Sequence, residues 1–365
     1  MATTYKAKRR GALPARKKKS GKAVATSKRG SRARKPVVID FHCHMRVPEV
    51  VAFCKGHGPD ASIPDHPNYT EAARKLDAEW AQMHRMRTGD MATRLALMDE
   101  QGVDIQVLTP SGISQYTLWA DPQTSLQGER RINESIAEMV AGHPDRFVGL
   151  GSVPLHAPEL AADELEYCMK NLGLRGVQIP SHAEGMELGD PQLRPFWARA
   201  EKLGAALFLH PAGITEKRYY PYHLWNSLGQ PLEEAMAMCS LFYDGVLDAF
   251  PKLKICVAHG GGYLPYAAGR VDRNYVDKAH TRLNMSMSPS EYLRRRFWYD
   301  TVGYSDYTID FIARIVGTDR ILMGSDYCFP IAYEQPVDIV SRHPTLDAAA
   351  KESIIAANAR ALLKL

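Results

Sequence analysis

The sequence predicts an α/β protein, a closed (β/α)8 barrel of the TIM type, over residues 37–365. Three observations predict it. Eight short apolar runs alternate with amphipathic helical stretches, an order that pairs strands in parallel through helical crossovers. Histidines and an aspartate recur at the C-terminal ends of those runs, the rim where barrel enzymes build their sites. Two of the intervals between runs are far too long for simple connections, as expected of active-site insertions after the first and fifth strands.

The runs are residues 37–41, 105–108, 147–153, 176–179, 205–209, 255–258, 297–301 and 321–324. The first closes on Phe41-His42-Cys43-His44. Alternate side chains share one face of a strand, so His42 and His44 point together and Cys43 points away. Helical stretches at 93–101, 129–141, 158–172 and 193–203 precede the second to fifth runs. The first long interval, 45–92, carries a helical piece near 69–86. The second, 211–245, carries Tyr219, Tyr220, Tyr222 and Trp225, side chains suited to a planar substrate or to a subunit interface.

The overall charge of +5 conceals an uneven distribution. Residues 1–36 hold 14 of the 46 lysines and arginines and none of the 41 acidic side chains, which leaves 32 against 41, or −9, on the remainder. The expectation is an acidic globular domain at 37–365 behind a basic, disordered tail at 1–36. The tail has no apolar core of a secretory signal, and no other feature supports nucleic acid as a partner. Six cysteines without a Cys-x-x-Cys pair predict reduced thiols and a cytoplasmic protein. The absence of any long apolar run predicts no membrane span.

Of thirteen histidines, His42, His44, His210 and His259 end predicted strands, and Asp326 follows the last one. Imidazoles and a carboxylate gathered at one rim supply nitrogen and oxygen donors for one divalent ion, Zn²⁺ or Mn²⁺. A pair of core histidines satisfied by hydrogen bonds is the alternative for His42 and His44 alone. His182 and His223 are weaker pocket candidates. In Ala258-His259-Gly260-Gly261-Gly262-Tyr263 the glycines lack the spacing of a phosphate loop. They allow close backbone approach beside His259.

Ile39-Asp40-Phe41-His42-Cys43-His44, His210-Pro211, His259-Gly260-Gly261-Gly262 with Gly269-Arg270-Val271-Asp272, and Gly324-Ser325-Asp326-Tyr327 together resemble the amidohydrolase superfamily. Within it the match is to the decarboxylase branch acting on aminocarboxymuconate semialdehyde, γ-resorcylate and 5-carboxyvanillate. The resemblance implies His42, His44, His210 and Asp326 as metal ligands. It implies His259, with Asp326, as the acid/base. It also implies that Arg270 binds substrate in a neighbouring subunit, hence a homodimer, and that a second arginine, Arg85 or Arg87, sits in the first long loop. Val177-Gln178-Ile179-Pro180 carries no lysine, so a one-metal site is expected. Ala212 stands where relatives have tryptophan, so the pocket wall differs. The implied reaction is non-oxidative decarboxylation of an unsaturated or aromatic carboxylic acid. Hydrolysis or hydration of a lactone, amide or ring-cleavage product on the same site is the alternative, and a basic-armed binding protein is a third reading.

Overall fold

The computed structural model describes residues 37–58, 69–88 and 90–365, without the side chains of 85–88 and 113. The 1–36 tail lies outside the described residues. Each of the eight predicted runs overlaps a strand: β1 (Ile39–Met45), β2 (Ile105–Pro110), β3 (Phe147–Gly149), β4 (Gly176–Ile179), β5 (Ala206–Leu209), β6 (Lys254–Val257), β7 (Phe297–Asp300) and β8 (Ile321–Leu322). They form two sheets, β1-β2-β3 and β8-β7-β6-β5-β4, in which every neighbouring pair is parallel. Backbone bonds also run between the sheets. Gly151 donates to the Gly176 carbonyl at 2.9 Å, and Phe41 to that of Met323 at 2.8 Å.

The strands depart from expectation where their N–H groups find other acceptors. In the third, Leu150 and Gly151 beyond Gly149 still donate to the Leu108 and Gly176 carbonyls, and the Ser152 amide leaves the ladder for the Asn133 side chain at 2.6 Å. The last is two residues long because Met323 donates to the Ile354 carbonyl and Gly324 to the Thr301 hydroxyl. β1 runs further than expected, through both histidines to Met45.

The main helices are α1 (Glu71–Thr88), α2 (Met91–Gln101), α3 (Pro122–Gly142), α4 (Pro158–Lys170), α5 (Arg194–Leu203), α6 (Gln230–Tyr243), α7 (Leu264–Asp277) and α8 (Asp306–Val316). Their boundaries follow from local chemistry. Asp90 caps α2 by accepting from the Thr93 amide, and Gly102, at φ 73°, ends it. Asp121 caps α3 ahead of Pro122 in the same way.

Two apolar layers flank the strands. One gathers Ile39, Phe41, Val107, Leu150, Phe208 and Cys256 from both sheets, with Leu362 and Leu363 of the C-terminal segment packed on it. The other fills the space between strands and helices, with Trp197, Phe196, Phe242 and Tyr292 fully buried. Phe41 and Phe208 meet edge to face at 5.4 Å, each stabilising the fold by about 1.5–3 kcal/mol through burial. The β1 register shifts between Asp40 and Cys43. That irregularity lets His42, the residue after Phe41, contact the same Phe208 ring at 4.9 Å.

Candidate metal centre and its cavity

His42 and His44 leave β1 with their rings together, while Cys43 packs the opposite way against Tyr327, Cys328 and Leu97. His210 follows β5, His259 follows β6, Asp300 ends β7, and Asp326 follows β8. One atom each from His42, His44, His210 and Asp326 lies within 4.8 Å of the other three, and all four residues are buried. The Nε2 atoms of His42 and His44 are 3.0 Å apart. They stand 3.4 and 3.3 Å from Asp326 Oδ1.

The far side of each ring is tied down. His44 Nδ1 donates to the Pro110 carbonyl and His210 Nδ1 to that of Pro211, both at 2.9 Å. A carbonyl only accepts, so Nδ1 carries the proton and Nε2 presents its lone pair to the cluster. His42 Nδ1 bonds Asp300 Oδ2 at 2.6 Å. The other Asp300 oxygen accepts from the Gly260 and Val302 amides at 3.1 and 3.0 Å, which fixes the orientation of this carboxylate. Asp326 Oδ2 accepts from the Tyr304 hydroxyl at 3.1 Å. His210 Nε2 and Asp326 Oδ1 have no hydrogen-bond partner among the described residues. Buried polar atoms are rarely left so, and two that face each other across imidazole nitrogens fit a cation between them.

The electrostatics agree. Burial lowers the His44 pKa and, with the neighbouring imidazoles, holds His210 well below the usual histidine range, so both present neutral imidazoles to the cluster. Burial pushes Asp326 up, but His42 and His44 outweigh it and hold the carboxyl well below its usual range. Burial also opposes charge on His42, yet Asp300 and Asp326 raise it to about 10. A divalent cation held by the four clustered residues would displace the proton from His42 Nε2 and leave the Nδ1 proton to Asp300.

His259 sits beside the cluster, its ring 5.1 Å from that of His210 and 5.3 Å from that of His42. Its Nδ1 bonds Glu234 Oε1 at 2.5 Å, and Glu234 is fully buried on α6. The glycines explain how α6 comes so near. A Cβ on Gly262 would lie 2.1 Å from the Pro231 carbonyl oxygen, so only glycine admits the start of α6, the helix that carries Glu234 one turn on. Gly324 does the same for β1, since a Cβ there would stand 2.6 Å from that of His42. Burial raises Glu234 to about 7 against the pull of His259. Burial depresses His259, but Glu234 more than compensates and its pKa is raised.

His210, His259 and Asp326 open onto a cavity of about 550 Å³. Its walls include Trp80 of α1, Trp225 and Phe329, with Arg46 and Asn226 among its polar groups.

The family model described as Amidohydrolase matches residues 39–365. The 2-amino-3-carboxymuconate-6-semialdehyde decarboxylase of Dictyostelium discoideum is 32% identical over 332 residues, covering 90% of this chain and 91% of that protein. The chain belongs to the amidohydrolase family. A γ-resorcylate decarboxylase of Polaromonas sp. is 32% identical over 69% of this chain and 81% of its own length. Among solved structures, the 5-carboxyvanillate decarboxylase from Sphingomonas paucimobilis superposes with a TM-score of 0.77 at 25% identity, covering 91% and 100% of the two chains. A dihydroxybenzoic acid decarboxylase from Polaromonas sp., solved with bound manganese and the inhibitor 2-nitroresorcinol, has a TM-score of 0.76 at 27% identity, covering 91% and 98%.

Within this amidohydrolase chain the structure brings together five residues expected from the sequence: His42, His44, His210, His259 and Asp326. Arg270 is exposed on α7 and is not among the residues lining the cavity of its own chain. His223 lines that cavity. His182 does not. It is exposed, 3.6 Å from Glu233, beside a separate cavity. The side chains of Arg85 and Arg87 lie outside the described residues. Asp300, Glu234 and Tyr304 were not anticipated. Asp300 alone left a signal, lying next to the end of the predicted run 297–301 at the same rim as the histidines. Among the described residues no helix is long and apolar enough to cross a membrane.

Proposed function

We propose that this chain is a metal-dependent, non-oxidative decarboxylase of an aromatic or unsaturated carboxylic acid. One observation carries the reading: the His42, His44, His210 and Asp326 cluster opens onto the same cavity as His259 and its Glu234 partner. Those four residues would hold one divalent cation, manganese or zinc. Bound there, it would polarise the substrate's carboxylate or an adjacent oxygen and offset the charge that builds as the C–C bond weakens.

The chain's own groups handle the proton. As the bond breaks, CO₂ leaves, the electron pair stays on carbon, and that carbon takes a proton. His259 is placed to deliver it, because Glu234 engages Nδ1 and leaves Nε2 for the cavity. Glu234 also supports the charged ring against burial, so the proton is at hand. Asp326 has one oxygen turned to the imidazoles and the other held by Tyr304, which suits a ligand better than a proton carrier.

The bonds between the two sheets support one closed barrel over 37–365, with insertions after β1 and β5 forming the cavity wall and the 1–36 tail preceding it. Arg270 would act on a carboxylate in a second subunit's cavity, a role its planar fork suits. Tyr266 and Tyr307, 84% and 86% exposed on α7 and the neighbouring α8, support that face as a homodimer contact. Mixing inactive Arg270→Ala and His259→Asn proteins should then restore about a quarter of wild-type activity through hybrid dimers. No recovery in a mixture that sedimentation shows to have exchanged subunits places Arg270 elsewhere. The six free cysteines support a cytoplasmic location.

The deciding experiment is CO₂ release from aminocarboxymuconate semialdehyde, γ-resorcylate and 5-carboxyvanillate, each with added Mn²⁺ or Zn²⁺ and with chelator. Metal-dependent CO₂ from any of them is the expected result. Silence across the panel with metal bound would instead favour hydrolysis or hydration.

A further inference from the structure

One buried cation takes no part in the proposed reaction. Arg94 of α2 is 6% exposed, and among the described residues no carboxylate forms an ion pair with it. Its Nε donates to Gln106 Oε1 at 2.7 Å and its Nη1 to the main-chain carbonyl of His44 at 3.0 Å. Its guanidinium carbon stands 4.5 Å over the centre of the Tyr327 ring. Gln106 carries the contact onward. Its Nε2 donates to Asp40 Oδ2 at 3.4 Å, so one amide links a buried guanidinium to a buried carboxyl group. Asp40 in turn accepts from the Ser325 amide at 2.9 Å and the Ser325 hydroxyl at 2.6 Å. These contacts bracket three of the four clustered residues. His42 and His44 follow Asp40 on β1, and Asp326 lies between Ser325 and Tyr327. Backbone bonds already join the two segments, from the Asp326 amide to the His42 carbonyl at 2.8 Å and from the His44 amide to the Tyr327 carbonyl. Asp40 grips the pair at one end through Ser325, and Arg94 at the other through the His44 carbonyl and the Tyr327 ring.

We infer that the Arg94–Gln106–Asp40 relay sets the spacing between the β1 imidazoles and Asp326, and that Arg94 is a positioning residue of the metal centre. The inference rests on the metal-dependent reading above and adds what keeps its donors in register. A guanidinium is costly to bury unless its donors are met, and apolar side chains of similar volume serve a merely structural core equally well. They cannot aim a rigid fork at the carbonyl of one ligand while stacking on the ring that follows another. His42 and His44 Nε2 stand 3.4 and 3.3 Å from Asp326 Oδ1, a geometry that a small slip between the two segments would spoil. Groups behind metal-binding side chains tune affinity through such orientation.

The test is metal affinity in the full chain, read by chelator competition with Mn²⁺ and Zn²⁺, beside the visible spectrum of the Co²⁺-loaded protein and the Tm of the chelated protein. Wild type is compared with Arg94→Met, Arg94→Lys and Gln106→Met. Arg94→Met and Gln106→Met should each raise the metal Kd by about 10- to 100-fold and shift the Co²⁺ spectrum. Arg94→Lys, which keeps the charge without the fork, should lose less. A side chain that only stabilised the fold would weaken free and loaded protein alike, lowering Tm and leaving Kd unchanged. Wild-type Kd and spectrum in Gln106→Met, or in every Arg94 variant that folds, overturn the inference whatever happens to Tm. Failure of Arg94→Met to fold leaves Arg94→Lys and Gln106→Met to decide. The two readings fail separately. Metal affinity that depends on Arg94 in a protein releasing no CO₂ sinks the decarboxylase reading and keeps this one. CO₂ release with a metal affinity indifferent to the relay does the reverse.

Discussion

The floor and the wall of the cavity are built to different standards. On the floor every donor has an outer hydrogen-bond partner: Asp300 for His42, Pro110 for His44, Pro211 for His210 and Tyr304 for Asp326. His42 and His44 have no exposed surface. The wall is looser. Trp80 of α1 and Ile331, both lining the cavity, are 57% and 47% exposed. The difference teaches where reaction and selectivity are encoded. Metal chemistry needs donors fixed to a fraction of an ångström, which only packing and outer hydrogen bonds provide. A wall that chooses among planar acids can sit on surface segments that tolerate change.

The largest expected effect breaks the floor. His210→Ala removes a neutral donor and leaves His42, His44 and Asp326 around a gap. The purified protein should lose its metal by elemental analysis and its activity by at least about 10³-fold, since the chemistry depends on the ion. Full metal content in that variant would show that His210 is not a ligand. His259→Asn comes next. Its ring touches those of His42 and His210, and in the proposed reaction it delivers the proton, so metal content should stay near wild type while kcat falls by about 10²- to 10⁴-fold. Near-native kcat in that variant would remove His259 from the acid role. The pair separates two functions within one layer of buried rings.

The same contrast explains what the sequence alone could reveal. A strand ending in His42-Cys43-His44 declares its geometry locally, because a period of two dictates that both rings share a face. His210, His259 and Asp326 are legible for a similar reason, each closing a short apolar run at the same rim. All eight strands were visible as runs, and only their ends moved, where Ser152, Met323 and Gly324 took acceptors outside the ladder. The residues that tune the site were hidden. Glu234 lies on an amphipathic helix, 25 positions before the histidine it supports, and no periodicity links the two. It reaches His259 only because Gly262 admits the α6 backbone, a tertiary fact. The irregularity in β1 that sets His42 beside Phe41 against one Phe208 ring was equally invisible, since strict alternation predicts opposite faces for neighbours.

The smallest effect probes the wall and asks whether the division is real. Trp80 lines the cavity yet is 57% exposed, so its truncation forfeits little of the burial that holds the fold together. Its value lies in one flat face offered to a planar substrate, a contact worth about 0.5–1.5 kcal/mol. Trp80→Ala should therefore raise KM by about 3- to 10-fold, with a smaller change in kcat. Bound metal should stay within error of wild type and Tm within about 3 °C, because an exposed substitution alters stability by only about 0.5 kcal/mol. The result that matters most is the metal content. If Trp80→Ala released the ion, α1 would be part of the ligand scaffold, and floor and wall would be one cooperative unit. If KM alone moved, α1 could be exchanged for another aromatic segment to change the acid that is taken without touching how its C–C bond is broken.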